Sequence, residues 1–117
     1  MTSLETHSVL RQQVINILSR LEMNNMLFSA KAVDVKIIHD NLTVTLRGIM
    51  SKAEQHFANN QQGKTFLQTL YARQLVFLQQ GIEGEINHLL NKKCIGAELV
   101  IEPEPGDVIL TLLLSDS

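Results

Sequence analysis

Leu67, Tyr71, Leu75, Leu78, Ile82, Ile86 and Leu89 recur at helical spacing and, at about 100° per residue, fall on one broad stripe. A stripe this long must be buried along its whole length. It predicts one helix from about Lys64 to Lys92, and it requires a second layer of structure for that helix to lie on. The flanking sequence supplies strands. Val33, Val35 and Ile37 alternate before Asp40-Asn41, and Leu42, Val44 and Leu46 alternate after it, which predicts two strands joined by a tight turn. A second pair is expected at the other end, from about Ala97 to Glu102 and from Val108 to Leu114, joined through Pro103-Glu104-Pro105-Gly106-Asp107. Gly48, near the end of the second strand, is a candidate bulge.

Two further helices complete the pattern. Leu10, Val14, Ile17 and Leu21 give an amphipathic N-terminal helix over about residues 4–25, with Thr2 and Glu5 spaced as a capping box and Asn24 and Asn25 suited to its end. Ser51-Lys52-Ala53-Glu54 has the capping-box spacing as well. There the serine hydroxyl accepts a backbone N–H and the glutamate reaches back to the serine's own, so a short helix should begin at that point and stop among Asn59 to Gly63. The order α-β-β-α-α-β-β contains local hairpins and no βαβ alternation. The expected fold class is therefore α+β, a mostly antiparallel four-stranded sheet with helices packed on one side. With 117 residues and no low-complexity stretch, residues 1–117 form a single domain that buries roughly two-thirds of its extended-chain surface.

Charge and cysteine usage narrow the function. A formal net charge of −2, with acids and bases interspersed, offers no basic face for nucleic acid or an anionic membrane. Cys94 is the single cysteine, which rules out an intrachain disulfide or a zinc site of several thiolates. No apolar run approaches the roughly 20 residues that cross a bilayer. Met1 to Glu5 lacks both a basic start and an apolar stretch, so the expected compartment is the cytoplasm.

Catalytic patterns do not assemble. His7, His39, His56 and His88 are scattered, with no i, i+3 or i+4 pair for a metal, and no metal or other cofactor is expected. Ala58-Asn59-Asn60-Gln61-Gln62-Gly63-Lys64-Thr65 satisfies a relaxed phosphate-loop pattern, but a helix rather than a parallel strand precedes it and alanine replaces the first glycine. What it leaves open is an anion at the Gly63-Lys64 helix start. Arg73 lies between Leu70 and Phe77, where its methylenes can lie on apolar surface and its guanidinium can meet a carboxylate or phosphate.

A second, narrower line on the long helix holds Phe66, Leu70, Phe77, Gly81 and Gly84, the two glycines suggesting either close backbone approach or a kink. A helix from Lys64 to Lys92 would be about 43 Å long, whereas strands of seven or eight residues span roughly 25 Å. Such a helix outruns its sheet and exposes apolar side chains, while the glycines permit close approach of another backbone. Self-association through this helix, as a homodimer, is the expectation.

Val35 to Gly48, followed by Ser51-Lys52-Ala53-Glu54, Gly63 and Ala72-Arg73-Gln74-Leu75, resembles the MpsC-like family of small bacterial domains, named after a component of a sodium-translocating, membrane-potential-generating system. The likeness runs from about Val33 to Leu114. Two departures stand out: Met26 to Lys31 replaces the family's Gly-Arg-Gly-Pro stretch, and Gln80-Gly81 replaces an Arg-Pro step in the long helix. If the family's arginines bind an anion or a partner, part of that surface is lost here, and Arg73 and Arg47 are the surviving candidates. The resemblance implies a non-enzymatic accessory or regulatory protein of a membrane ion or inorganic-carbon translocating system. Such a protein would be cytoplasmic and held at the inner membrane by a protein partner. The rival expectation is a small-anion or nucleotide sensor using Lys64, Arg73 and Arg47.

Overall fold

The computed structural model describes residues 8–16 and 32–116. Helix α1 occupies residues 8–16, with Leu10 and Val14 buried. Arg11 Nε donates to Val33 O at 2.8 Å, which ties this helix to the first strand. The capping box at Thr2 and Glu5, the helix end at Asn24-Asn25 and the Met26–Lys31 stretch all lie outside the described residues.

Strands β1 (Ala32–Ile38) and β2 (Asn41–Arg47) form the first hairpin. Ile38 pairs with Asn41, so the turn falls on His39-Asp40, one residue earlier than the spacing predicts. The observed register sets Val33 opposite Leu46, Val35 opposite Val44 and Ile37 opposite Leu42. A turn at Asp40-Asn41 would leave Val33 and Leu42 without apolar partners. The apolar pairs decide the register, and His39 adopts the left-handed conformation, φ 56°, that the turn needs.

Helices α2 (Lys52–Phe57), α3 (Gln61–Gln74) and α4 (Val76–Leu90) follow, then strands β3 (Lys92–Glu102) and β4 (Asp107–Asp116). The sheet is antiparallel in the order β1-β2-β4-β3. The α+β class and the four-stranded antiparallel sheet are as the sequence predicts. One face carries Val33, Val35, Leu42, Val44, Leu46, Ile101, Val108, Leu110, Leu112 and Leu114. These join Leu10 and Val14 of α1 and the buried residues of α3 and α4 in a single core.

The single long helix is corrected to two. The chain turns at Leu75 (φ −92°, ψ 7°), which closes α3 and opens α4. Leu67 and Tyr71 before the turn, Leu75 within it, and Leu78, Ile82 and Ile86 after it are all buried. The stripe therefore stays buried on both sides of the break. At 14 and 15 residues the two helices span roughly 21 and 23 Å. The 11-residue β3 spans roughly 36 Å. Each helix is shorter than the longest strand.

β3 also starts earlier than Ala97. Cys94 pairs with Leu114 and Gly96 with Leu113, leaving Ile95 as a bulge. That extra residue breaks the alternation and hides the strand's first half from a period-two reading. Gly48 does not bulge a strand. At φ 66° it turns the chain out of β2, and its N–H donates to Asp107 Oδ1 at 2.8 Å.

Candidate functional site

The helical layer is built outward from one small motif. Ser51 Oγ accepts from Glu54 N–H at 3.1 Å and Glu54 Oε1 accepts from Ser51 N–H at 2.9 Å, the reciprocal capping box that the sequence predicts. The same carboxylate accepts the Tyr71 hydroxyl proton, with oxygen separations of 3.1 and 3.0 Å. Glu54 therefore fixes α2 against α3. Gln55 reaches the other way, donating at 2.8 Å to both Pro103 O and Glu104 O in the β3–β4 turn.

Tyr71 carries a pH consequence. Burial first, and the Glu54 carboxylate second, push the phenol well above its ordinary value of 10.0. The folded state then keeps a proton that the unfolded chain loses above about pH 10, so the stability contribution is complete below that pH and falls as pH rises past it. Tyr71→Phe should lower stability near neutrality by about 1 kcal/mol through the lost hydrogen bond and flatten the alkaline limb. Urea midpoints measured from neutral to alkaline pH check both effects; an unchanged alkaline slope would count against the assignment.

Asn60 caps α3 by accepting Gly63 N–H on Oδ1 at 2.8 Å. Helix α3 thus begins at Gln61, not Lys64, and Gly63 lies inside its first turn. A side chain there is impossible without movement, because a Cβ would sit 1.9 Å from Phe57 O. This approach brings the Phe57 and Phe66 rings edge to face, with centroids 5.7 Å apart and planes at 75°. Phe57 and Phe66 line a shallow groove of about 380 Å³ with Ala53, Glu54, Leu67 and Leu70. Phe66 is 59% exposed and Phe77, beyond the turn at Leu75, is 57% exposed.

The residues singled out from the sequence do not gather in one place. Phe66 and the half-buried Leu70 line this groove, whereas Phe77 is exposed on α4; Gly84 is exposed, and a Cβ there would meet nothing within 4 Å. Gly81 is half-buried in α4. Arg73 is exposed, and its side chain makes no hydrogen bond or ion pair with the described residues. Lys64 lies nine positions earlier on α3, about 180° around the helix and roughly 14 Å along it. It lines an open hollow with Lys52, Gln55, His56, Asn59, Pro103 and Glu104. Arg47 is on the opposite face of the sheet, bonded to Asp34 through Nε and 3.5 Å from Asp107 Oδ2 through Nη1. The Asp34 carboxylate holds its guanidinium firmly protonated. Arg73, Lys64 and Arg47 do not converge on one ligand.

At the proposed anion position, Gly63 N–H is held by Asn60 Oδ1, and Lys64 N–H donates to Asn60 O at 3.0 Å. Neither is left for a phosphate. Cys94 Sγ donates to Gly96 O at 3.1 Å, and burial raises its thiol pKa, which makes it a poor nucleophile near neutrality. Among the described residues no three His, Cys, Asp or Glu side chains are placed to hold a metal, and no helix is long and apolar enough to cross a membrane.

Sequence reasoning missed two residues. Phe57 was readable as the i+4 partner of Ala53 on a short amphipathic helix. Lys92 was not, because its Nζ bonds Asp40 Oδ1 at 3.2 Å and Asp116 Oδ1 at 3.1 Å, residues remote in sequence that only the sheet brings together.

No curated protein and no solved structure matches the chain. A family model described as "Na+-translocating membrane potential-generating system (MpsC)" matches residues 6–116, nearly the whole chain and more than the Val33–Leu114 span of the sequence likeness. With its α+β fold and that match, the chain belongs to the MpsC family.

Proposed function

We propose that this protein is a non-enzymatic accessory subunit of a cation-translocating membrane system, bound on the cytoplasmic side to a membrane-spanning partner through the aromatic surface of α2, α3 and α4. The observation that carries this reading is the Phe57–Phe66 pair with Phe77, exposed side chains on rigid helices in a chain of this family. Aromatic residues on preformed elements lose little conformational entropy when covered, and they dominate the energetics of protein interfaces. Arg73, on α3 between Leu70 and Phe77 in sequence and without an internal partner among the described residues, supplies a charge for orienting the contact.

Co-purification from the native host in mild detergent tests it. An integral membrane polypeptide should be retained by the wild type in a fixed ratio and lost with Phe66→Glu or Phe77→Glu, both exposed positions where the fold is kept. Equal recovery with the wild type and both variants would reject the surface. The rival reading, a small-anion sensor, has one feature in its favour, the hollow where Lys52, His56 and Lys64 meet. Equilibrium binding with nucleotides and phosphorylated metabolites decides it: a specific ligand lost with Lys64→Ala would replace the accessory reading.

A further inference from the structure

We infer that the open face of the sheet is a self-association surface, on which a second copy of this chain packs about a two-fold axis parallel to the strands. Helices α1, α3 and α4 each bury apolar residues in the one core on the other face. Among the described residues no element covers the open face. Its rows follow from the strand pairing. Asp34, Thr45, Ile109 and Val100 form one row, Lys36, Thr43, Thr111 and Glu98 the next, and Ile38, Asn41, Leu113 and Gly96 the third. Ile38 is 62% exposed and Leu113 44% exposed, large apolar groups on a face whose centre is flat threonine.

The charges select the occupant. Lys36 stands on the edge strand β1 and Glu98, in the same row, on the opposite edge strand β3. Both are exposed, and neither makes an ion pair with the described residues. Three inter-strand spacings keep them roughly 14 Å apart, too far to meet within one chain. A two-fold axis along the strands reverses the strand order of the facing sheet, so β3 of the second copy lies over β1 and β1 over β3. Lys36 then faces Glu98 of the other copy, and the contact occurs twice. Thr43 lies over Thr111, and Ile38 lies over Gly96, against the Leu113 side chain, whose Cδ1 is 3.3 Å from where a Cβ on Gly96 would stand. The strands of the two sheets run nearly aligned, as in packed sandwiches, and the same patch serves both copies. A uniformly acidic or basic partner would match only one edge.

This inference does not rest on the partner assigned to the helical surface, and it leaves that surface free. Light scattering and sedimentation of the full chain test it with Lys36→Glu, Glu98→Lys and the two combined, circular dichroism confirming each fold. The wild type should be a dimer. Each single reversal sets like charges opposite one another on both sides of the axis, weakening the dimer on the order of tenfold or more. The combined variant should restore it, and Phe77→Glu should leave the mass unchanged. A monomeric wild type, single reversals without effect, a combined variant that stays dissociated, or dissociation by Phe77→Glu would each overturn the inference.

Discussion

Gly63→Ala is expected to destabilise the protein by about 3 kcal/mol or more, beyond the usual range for a surface-proximal alanine substitution. Elsewhere in an exposed helix, replacing glycine by alanine gains about 1 kcal/mol. Here the sign reverses because the new methyl would lie 1.9 Å from the Phe57 carbonyl oxygen, a backbone atom that cannot swing aside like a side-chain tip. Relief requires α3 to move away from the end of α2, which strains the Tyr71–Glu54 hydrogen bonds and separates the Phe57 and Phe66 rings. Chemical denaturation of the variant provides the check. A midpoint equal to or above the wild type would show that the close approach is not obligatory.

The second large effect is expected at Leu75. Its side chain is 1% exposed at the turn where α3 meets α4. Leu75→Ala should cost about 3 kcal/mol, the transfer free energy plus the cavity left between two helices and the sheet. Leu75→Met should cost less than about 1.5 kcal/mol, since it preserves volume. Thermal and urea unfolding of both variants separate packing from backbone geometry. If methionine proved as damaging as alanine, the branched shape at the turn, rather than the filled volume, would be what holds the two helices.

Leu75 also shows where sequence reasoning stopped. The stripe from Leu67 to Ile86 keeps its spacing through the turn, and no proline or glycine stands at Leu75, so periodicity reads one helix. Both halves of the stripe are buried in one core across the break at Leu75, a tertiary arrangement invisible to a local window. Where a local rule decided the outcome, reading was easier. The Ser51–Glu54 box forms as spaced, and the Val33 to Leu46 alternation forms its hairpin, displaced by one residue because apolar pairing outweighed the Asp40-Asn41 turn signal. Phe66 and Phe77 could be singled out because they fall off the core stripe. The placement of Lys36 and Glu98 in one row needed the β2–β4 pairing, which no spacing in the chain encodes.

That central seam has a kinetic consequence. Each hairpin closes on itself through a short turn, but β2 meets β4 only when residues 48–106 are drawn into a single loop, at an entropic cost of roughly 4 kcal/mol. Helices α2, α3 and α4 occupy that loop and shorten its effective span as they form, so the sheet zips shut late, after local structure has already collapsed the distance between its halves.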